Sequence, residues 1–576
     1  MSDKTKSQKI SFFSAMLIVV GGTIGAGIFF VSKQVNGYSQ GSLLLAIFCW
    51  ILAACAIVAM GLALIEIASV RNDNLSLIGW NKVFNSRFIY KGSKNFMVYI
   101  YLPLTYFFMP FYVIASFQEG LGAFGNNKFG TEVDWIIWLV ISLAMSAYFI
   151  IVPAIWSKVG DIQNKAILSV KFIPLALVAI LGLALLFSGK SNGFPIKTDS
   201  LEISESIKLG ESIKTWTGMG AGLGLFLAIA AIFFSFDAFY VAAGISSEMK
   251  EPKKTPLAIL MGIVVITVVY LLIAIAISVN GGTVSEMTKN LAKLLGKKAS
   301  DIILGILNLC IAFGILGIIN SYSMWSARYV EDLYADGDLP FWQKFYKKLN
   351  PNKPWVGVKF GLIIALPISA LFVTIGAVAY RGGLIWDDEY GSGMNYVYGF
   401  CDLMATWTAL FTFAFIAFAI FGAIKNRKTN KIEIKEKKAY FMPCAWIAVI
   451  ATMLALGVTL LVPFIDLFIL AGFDENTKAP ALVAAAQDAV EKAKNDPEKL
   501  QKAQEALKAL VDGNNGLDAA RTFFKETLFS RLSIIVVLFI FLGLTFLPTI
   551  FEDLMAKKKF GSVAKYEAWK AEQLSK

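Results

Sequence analysis

Histidine is absent from all 576 residues. That excludes imidazole acid–base catalysis, Ser-His-Asp triads, histidine-ligated metals and histidine proton relays together. Charge is scarce as well, with Asp, Glu, Lys and Arg at 16% against 57% hydrophobic residues. Soluble domains carry about a quarter charged residues, so this balance argues against a soluble enzyme. Cysteine is confined to Cys49, Cys55, Cys310, Cys401 and Cys444, scattered through apolar segments without CxxC spacing. Neither a metal site nor a disulfide framework is expected from them. Any proton chemistry falls to Asp, Glu, Lys or Tyr.

Apolar runs fill the space that charge leaves, as in Leu43 to Ile65 and Ile534 to Leu547. About 20 apolar residues span the hydrocarbon core as a helix. By that rule the chain holds about twelve spans. They lie near 12–31, 43–68, 96–118, 134–155, 166–188, 220–247, 256–279, 301–328, 357–380, 396–424, 441–470 and 530–550. The fold class is an all-α polytopic membrane protein. Lys4, Lys6 and Lys9 lead into Phe12 without a small-residue cleavage site, so the first span is expected to be retained.

The net charge of +12 raises the question of nucleic acid, but its distribution answers it. Arg71, Lys82, Arg87, Lys91 and Lys94 fall in one loop region, Lys250, Lys253 and Lys254 in the next alternate one, then Lys344 to Lys353, Lys425 to Lys438 and Lys557 to Lys559. Basic residues in alternate loops mark the cytoplasmic side. Both termini are expected there, and no nucleic-acid partner is. One segment breaks the pattern: Asn476 to Arg521 is rich in Ala, Lys and Glu. Its helix formers, with Pro497 as a break and Gly513 as a stop, predict two short amphipathic helices. The topology puts them outside the cell.

Candidate chemistry sits at irregular places in the spans. Gly21, Gly22, Gly25 and Gly27 crowd the first one, and each costs a helix about 1 kcal/mol relative to Ala. They suit either close helix packing or an interrupted helix whose free amides and carbonyls face a cavity. The sixth span carries Gly218, Gly220, Gly222 and Gly224, then Asp237 inside an apolar run. Two irregular spans in corresponding positions point to inverted repeats of five helices and favour the interrupted reading. Asp237 caps backbone amides at a break or faces a cavity, since a central carboxylate is expensive in lipid. Lys171 in the fifth span either snorkels to the interface or exchanges protons from a half-buried position. Asn320, Ser321, Tyr322 and Ser323 form a polar group in the eighth span that bonds helices together or walls a cavity.

These strings resemble the amino acid–polyamine–organocation superfamily of permeases across most of the chain. Gly25-Ala26-Gly27-Ile28-Phe29 is similar to the family's GxGIF at a broken helix. "FFSFDAF" followed by "SSEMKEPKKTPLAI" is similar to its sixth-span break and basic inner loop. Asn320, Ser326-Ala327-Arg328 and Ala335-Asp336-Gly337-Asp338-Leu339-Pro340 resemble its eighth-span ending. The resemblance implies a leucine-transporter-type core of ten helices in two inverted repeats, plus two more helices.

It also implies site roles. The amides of Gly25, Ala26 and Gly27 would hold a substrate carboxylate, and the carbonyls of Thr23, Ile24, Phe234, Ser235 and Asp237 its ammonium. Tyr322 would touch the substrate side chain, while Phe236 and Phe239 would act as a gate. Lys171 matches a lysine that stands where sodium-coupled relatives hold a cation. That implies sodium-independent transport of amino acids across the plasma membrane, by proton symport or exchange, with Lys171 and Asp237 as proton-coupling candidates. Ala26 stands where Ser or Thr is frequent, which removes a hydroxyl contact. The substrate is an amino acid, a glutamate/amine or cationic-amino-acid exchanger being the alternative, and no cofactor is implied. A channel would show repeated filters or charged rings, and an enzyme a nucleophile–base constellation; neither pattern is present.

The expected organisation is a transport core over 1–425 with repeats at 11–188 and 218–424, then an eleventh helix with its inner loop over 426–472. An extracellular helical insertion (473–528), a twelfth helix (529–552) and a cytoplasmic tail (553–576) complete it. Side chains such as Tyr106, Tyr322 and Thr406 are candidates for specificity.

Overall fold

The computed structural model describes residues 11–25, 27–39, 41–71, 75–124, 134–193, 219–237, 239–240, 250–251, 254–350, 353–380, 392–434, 437–494 and 497–575. Every regular element among them is helical. The first five crossings comprise α1 (Phe12–Thr23), α2 (Gly27–Tyr38), α3 (Leu43–Val70), α4 (Leu77–Phe84), α5 (Arg87–Phe96), α6 (Leu102–Ala123), α7 (Asp134–Ile155), α8 (Ser157–Val170) and α9 (Phe172–Phe187). The next five comprise α10 (Met219–Ser235), α11 (Thr255–Ser278), α12 (Val284–Leu295), α13 (Lys297–Ala335), α14 (Trp342–Tyr346), α15 (Trp355–Thr374) and α16 (Ser392–Thr429). After them come α17 (Phe441–Leu470), α18 (Glu475–Lys492), α19 (Pro497–Asp512), α20 (Leu517–Phe560) and α21 (Val563–Ser575).

Ten of the described helices are long and apolar enough to cross a membrane, α5–α6 and α8–α9 each running together as one span. Two shorter apolar helices, Phe12–Gly21 and Leu223–Ser235, belong to the first and sixth spans. The two spans that fall short are therefore the two whose sequence is irregular. Large apolar residues such as Ile137, Val140, Ile180, Ile363 and Phe539 stay exposed on the outside, as side chains facing hydrocarbon do.

Contacts sort the helices into two bodies. α1 and α2 pack with α3, α10 and α11, the first, second, sixth and seventh spans. α6, α7, α13 and α15 pack among themselves, the third, fourth, eighth and ninth. Each body takes matching spans from the two halves of the core, as an inverted-repeat transporter requires. α9 touches both bodies, through α11 and α13, and so does α16, through α10 and α6. Among the described residues the ten long apolar helices and the two shorter ones, taken as alternating crossings, bring the start of α1 and the end of α20 to the same side, here called the terminal face.

Local chemistry sets the interruptions. Pro174 has no amide to bond the turn before it, and its ring crowds the carbonyl of Val170. The fifth span accordingly breaks at Lys171, between α8 and α9. A π turn over Met97–Tyr101 joins α5 to α6 and re-aims the side chains that follow it. The glycines that open α10 lie away from the sixth-span break. A Cβ on Gly224 would strike the carbonyl of Tyr38, so this glycine serves the close approach of α10 to α2.

On the terminal face the tail helix α21 is fastened by buried charge. Lys570 donates to Asp338 Oδ1 at 2.7 Å, and Lys91 to the same oxygen at 3.0 Å. Lys94 donates to the Asp338 carbonyl at 2.7 Å, and the Tyr90 hydroxyl donates to the Asp338 carboxylate. Lys91 also reaches Glu552 at 3.2 Å, and Arg87 pairs with Glu552, Asp553 and Glu567. Trp569 lies 4.9 Å from Phe560 and 6.3 Å from Trp342, centroid to centroid. α20 extends beyond the expected 529–552 in both directions, so the insertion and the twelfth crossing share one helix from Leu517. Pro497 opens α19, and Gly513 follows its last residue.

Candidate functional site

The first span unwinds after Thr23. Ile24 is extended (φ −65°, ψ 115°), and helix resumes at Gly27. The sixth unwinds after Ser235, with Phe236 and Asp237 in a turn and Phe239–Tyr240 in 3₁₀ geometry. The two breaks touch. A Cβ built on Gly27 would lie 3.5 Å from Ser235 Cα and 3.6 Å from Ser235 Oγ, room for a methyl and no more. Ala26 lies outside the described residues.

Between the breaks and α6, α8 and α13 lies a cavity of about 660 Å³. Thr23, Ile24, Gly25, Gly27, Phe234, Ser235, Asp237, Tyr322 and Lys171 all line it. The sequence-derived substrate residues are thus brought to one place, together with the lysine. The cavity runs along α8 past Asn164 to the exposed Asp161 and Lys165, towards the terminal face. On the opposite side it ends at packed aromatics. Phe234 lies edge-on to Phe108 at 5.8 Å and 6.2 Å from Tyr112, which stacks on Phe30 at 4.3 Å. Beyond them Tyr112 donates to Asp402 Oδ1 at 2.8 Å, and Thr406 to Gln34 at 3.4 Å.

Helix ends supply the site's electrostatics. α2 points its N-terminus at the cavity, where free amides and the helix dipole favour an anion. α1 and α10 end there with carbonyls, which favour cations. Lys171 meets one of these ends: its ammonium donates to Gly21 O at 2.5 Å and Ile24 O at 3.1 Å. It therefore reaches across to the first span rather than along its own helix to the interface. Tyr270, from α11, meets the other carbonyls, donating towards Ser235 O at 3.0 Å and Thr23 O at 3.4 Å. The Phe234 carbonyl accepts from the Asp237 amide at 3.3 Å. The hydroxyls of Thr23, Ser235 and Thr408 are buried without a hydrogen-bond partner among the described residues. All three residues line the cavity. A buried hydroxyl left unpaired costs roughly 1–3 kcal/mol.

Asp237 is held from the side of the α6, α7, α13 and α15 body, hereafter the scaffold, the body of α1, α2, α3, α10 and α11 being the bundle; there the Tyr101 hydroxyl donates to Oδ2 at 2.8 Å. The polar group of the eighth span divides its work. Asn320 bonds Gly160 O and Asn164, and Ser323 bonds Tyr106, whereas Ser321 and Tyr322 line the cavity. Phe236 and Phe239 are placed differently from the expectation. Both are buried, Phe236 against Tyr270 and Phe239 stacked on Phe413, and neither is among the cavity's lining residues. Tyr106 and Thr406 also lie behind the wall. Sequence reading missed Tyr101, Tyr240, Tyr270, Trp325 and Thr408. Tyr101, at the end of the π turn, and Thr105, Phe108 and Tyr112 on α6 recur at helical spacing on one face, but so many neighbours there are aromatic that the face does not stand out.

A cavity between two broken helices, set between a bundle and a scaffold, defines a membrane transporter. A family model described as amino acid permease matches residues 10–480, and the chain belongs to that family. It is 46% identical to an uncharacterized protein of Mycoplasma pneumoniae over 99% of both chains. It is 24% identical to the serine/threonine exchanger SteT of Bacillus subtilis, over 63% of this chain and 77% of that one. Among solved structures it resembles a manganese transporter of Eremococcus coleocola, with 13% identity, 92% and 100% coverage and a TM-score of 0.43. MHP1, a nucleobase-cation-symport-1 family transporter, matches with 13% identity, 79% and 93% coverage and a TM-score of 0.40.

Proposed function

We propose that this permease moves amino acids across the plasma membrane by alternating access, independently of sodium, through proton symport or amino-acid exchange. The observation that carries the reading is the pairing of opposite helix ends in one cavity. A zwitterion needs an anion site and a cation site at the distance between its own groups. The N-terminus of α2 provides the first, the carbonyl ends of α1 and α10 the second, and Gly27 keeps them in contact. Gly25 and Ala26 would add amides to the carboxylate site, and the carbonyls of Thr23, Ile24, Phe234, Ser235 and Asp237 would share the ammonium. Tyr322 would meet the substrate's side chain.

Independence from sodium rests on Lys171. Its ammonium sits on the carbonyls of Gly21 and Ile24, ligands of the kind a small cation would use. Exchange is supported by SteT, whose description is that of a serine/threonine exchanger. With both termini in the cytoplasm, the described state opens inward and is sealed outward by Phe234, Phe108, Tyr112 and Phe30. These four replace Phe236 and Phe239 as the proposed gate. The test is counterflow in liposomes holding the purified chain. Saturable amino-acid uptake, stimulated by internal amino acid and unchanged when choline replaces sodium, is the expected result. Loss of uptake in choline refutes sodium independence, and unsaturable conductance refutes a carrier.

A further inference from the structure

Two helix ends of the same sign meet at the cavity. Thr23 is the last residue of α1 and Ser235 the last of α10. Carbonyls without an intrahelical partner and the negative end of the dipole gather at each, so two such ends brought together repel. Tyr270 of α11 stands between them. Its hydroxyl donates towards Ser235 O at 3.0 Å and Thr23 O at 3.4 Å, so one proton is shared by the ends of two interrupted helices. The ammonium of Lys171 bonds the first of these ends alone, at Gly21 and Ile24. The phenol ring is placed from two further sides. Tyr270 is completely buried, edge-on to Trp50 of α3 at 5.8 Å and to Phe236 at 5.3 Å, centroid to centroid. It is not among the cavity's lining residues, and so meets the two carbonyls from behind the wall.

We infer that Tyr270 is a positioning residue, which holds the carbonyl ends of α1 and α10 at the separation that a substrate's ammonium spans. This rests on the amino-acid transporter reading and adds to it a residue that acts without touching the substrate. A carbonyl oxygen has two lone pairs. With one turned to Tyr270, the other remains for a donor on the cavity side. Without the hydroxyl the like ends part, and the ammonium loses ligands on one helix or the other. The carboxylate site at the N-terminus of α2 uses amides and neither of these carbonyls. The two halves of the substrate are therefore affected unequally.

Tyr270→Phe tests this, because it keeps the ring and removes only the hydroxyl. Counterflow of each standard amino acid into liposomes holding the purified full-length chain first selects the best-transported one. For it, Tyr270→Phe should raise KM at least tenfold, as loss of a bond to a charged group does, and change the maximal rate less than threefold. Inhibition by the α-hydroxy acid with the same side chain, which brings the carboxylate without the ammonium, should weaken less than twofold. Trp50→Phe, which alters the packing of the ring and keeps the hydroxyl, should leave KM within threefold. An unchanged KM in Tyr270→Phe overturns the positioning role and leaves the transporter standing. So does an equal loss for the amino acid and its hydroxy acid, or an equal loss in Trp50→Phe, since either makes Tyr270 a packing residue alone. No uptake of any amino acid refutes both.

Discussion

Lys171 occupies a position that neither packing nor solvation explains alone. Its side chain leaves the break between α8 and α9 and gives its ammonium to two carbonyls of the first span. A hydrogen bond from a charged donor contributes roughly 1.5–3 kcal/mol, so Lys171 holds the end of α1 in its unwound form. If the proton is the coupled ion, releasing it would loosen that end and let the bundle move. Lys171→Ala should then lower amino-acid uptake at least tenfold and flatten its dependence on pH, measured in liposomes under a pH gradient. Unchanged pH-dependent uptake would make Lys171 a structural cap. The two helix breaks were legible beforehand as a pair, because the glycines of the first span suit close packing as well and only their counterpart in the sixth favours an interruption. Tyr270 was not. It matters only through its reach to Thr23 and Ser235, a tertiary fact without a local signature. Nor was the placing of Phe236 and Phe239 away from the cavity, because beyond α10 their rings pack against Tyr270 and Phe413 of other helices.

The tail helix α21 illustrates what hydropathy does not read. The crossings follow from apolar runs, since lipid forces each one to satisfy its own backbone. α21 is polar, and its place is set by charge and ring contacts with distant segments, the most buried of them a carboxylate that several lysines share. Asp338 is almost wholly buried, its side chain 1% exposed, as are Lys91 at 2% and Lys570 at 7%. Burial alone would raise the Asp338 carboxyl, but Lys91, Lys570 and Lys82 together hold it well below the usual carboxylate range. A depressed folded value means that the stabilisation is complete above the ordinary value of 3.8. It is lost as pH falls from there towards the folded value. Acid below about pH 4 should therefore release α21 before the crossings unfold, read as faster proteolysis of residues 561–575 in detergent. At neutral pH, Asp338→Asn leaves the buried Lys570 without its counter-charge and Lys91 with Glu552 alone, and breaking a buried pair costs roughly 3–5 kcal/mol. The same cleavage should then occur without acid, together with a lower melting temperature. Protection equal to that of the unaltered chain would remove Asp338 as the fastening point.

Across the cavity from Asp161 and Lys165, the two helix bodies meet at a cluster of aromatic rings. Phe30 and Phe234 belong to the bundle, Phe108 and Tyr112 to the scaffold, and the ring contacts among them run between the two bodies, where the proposed alternating access would part them. An aromatic pair is worth about 0.5–1.5 kcal/mol beyond its buried area. Phe30 is largely buried as well, so Phe30→Ala removes apolar burial and stacking together, on the order of 3 kcal/mol. Glu66 and Arg427, paired through two 2.7 Å bonds near the terminal face, tie α3 to α16 and are left untouched. Opposing states of a carrier differ by a few kcal/mol, so such a loss is enough to invert their populations. With the native cysteines replaced, a cysteine substituted for Thr406 reports the change, because Thr406 is buried behind the stack beside Gln34. An impermeant maleimide added outside the cell should label Thr406→Cys slowly in the parent background and at least tenfold faster when Phe30→Ala is added. A substituted Ser321, exposed at the cavity, should lose reactivity from the inside in the same variant. Opposite changes at the two sites are the signature of alternating access. A rise at Thr406 without a fall at Ser321 would mean a leak through the stack, and the four rings would then be packing rather than a gate.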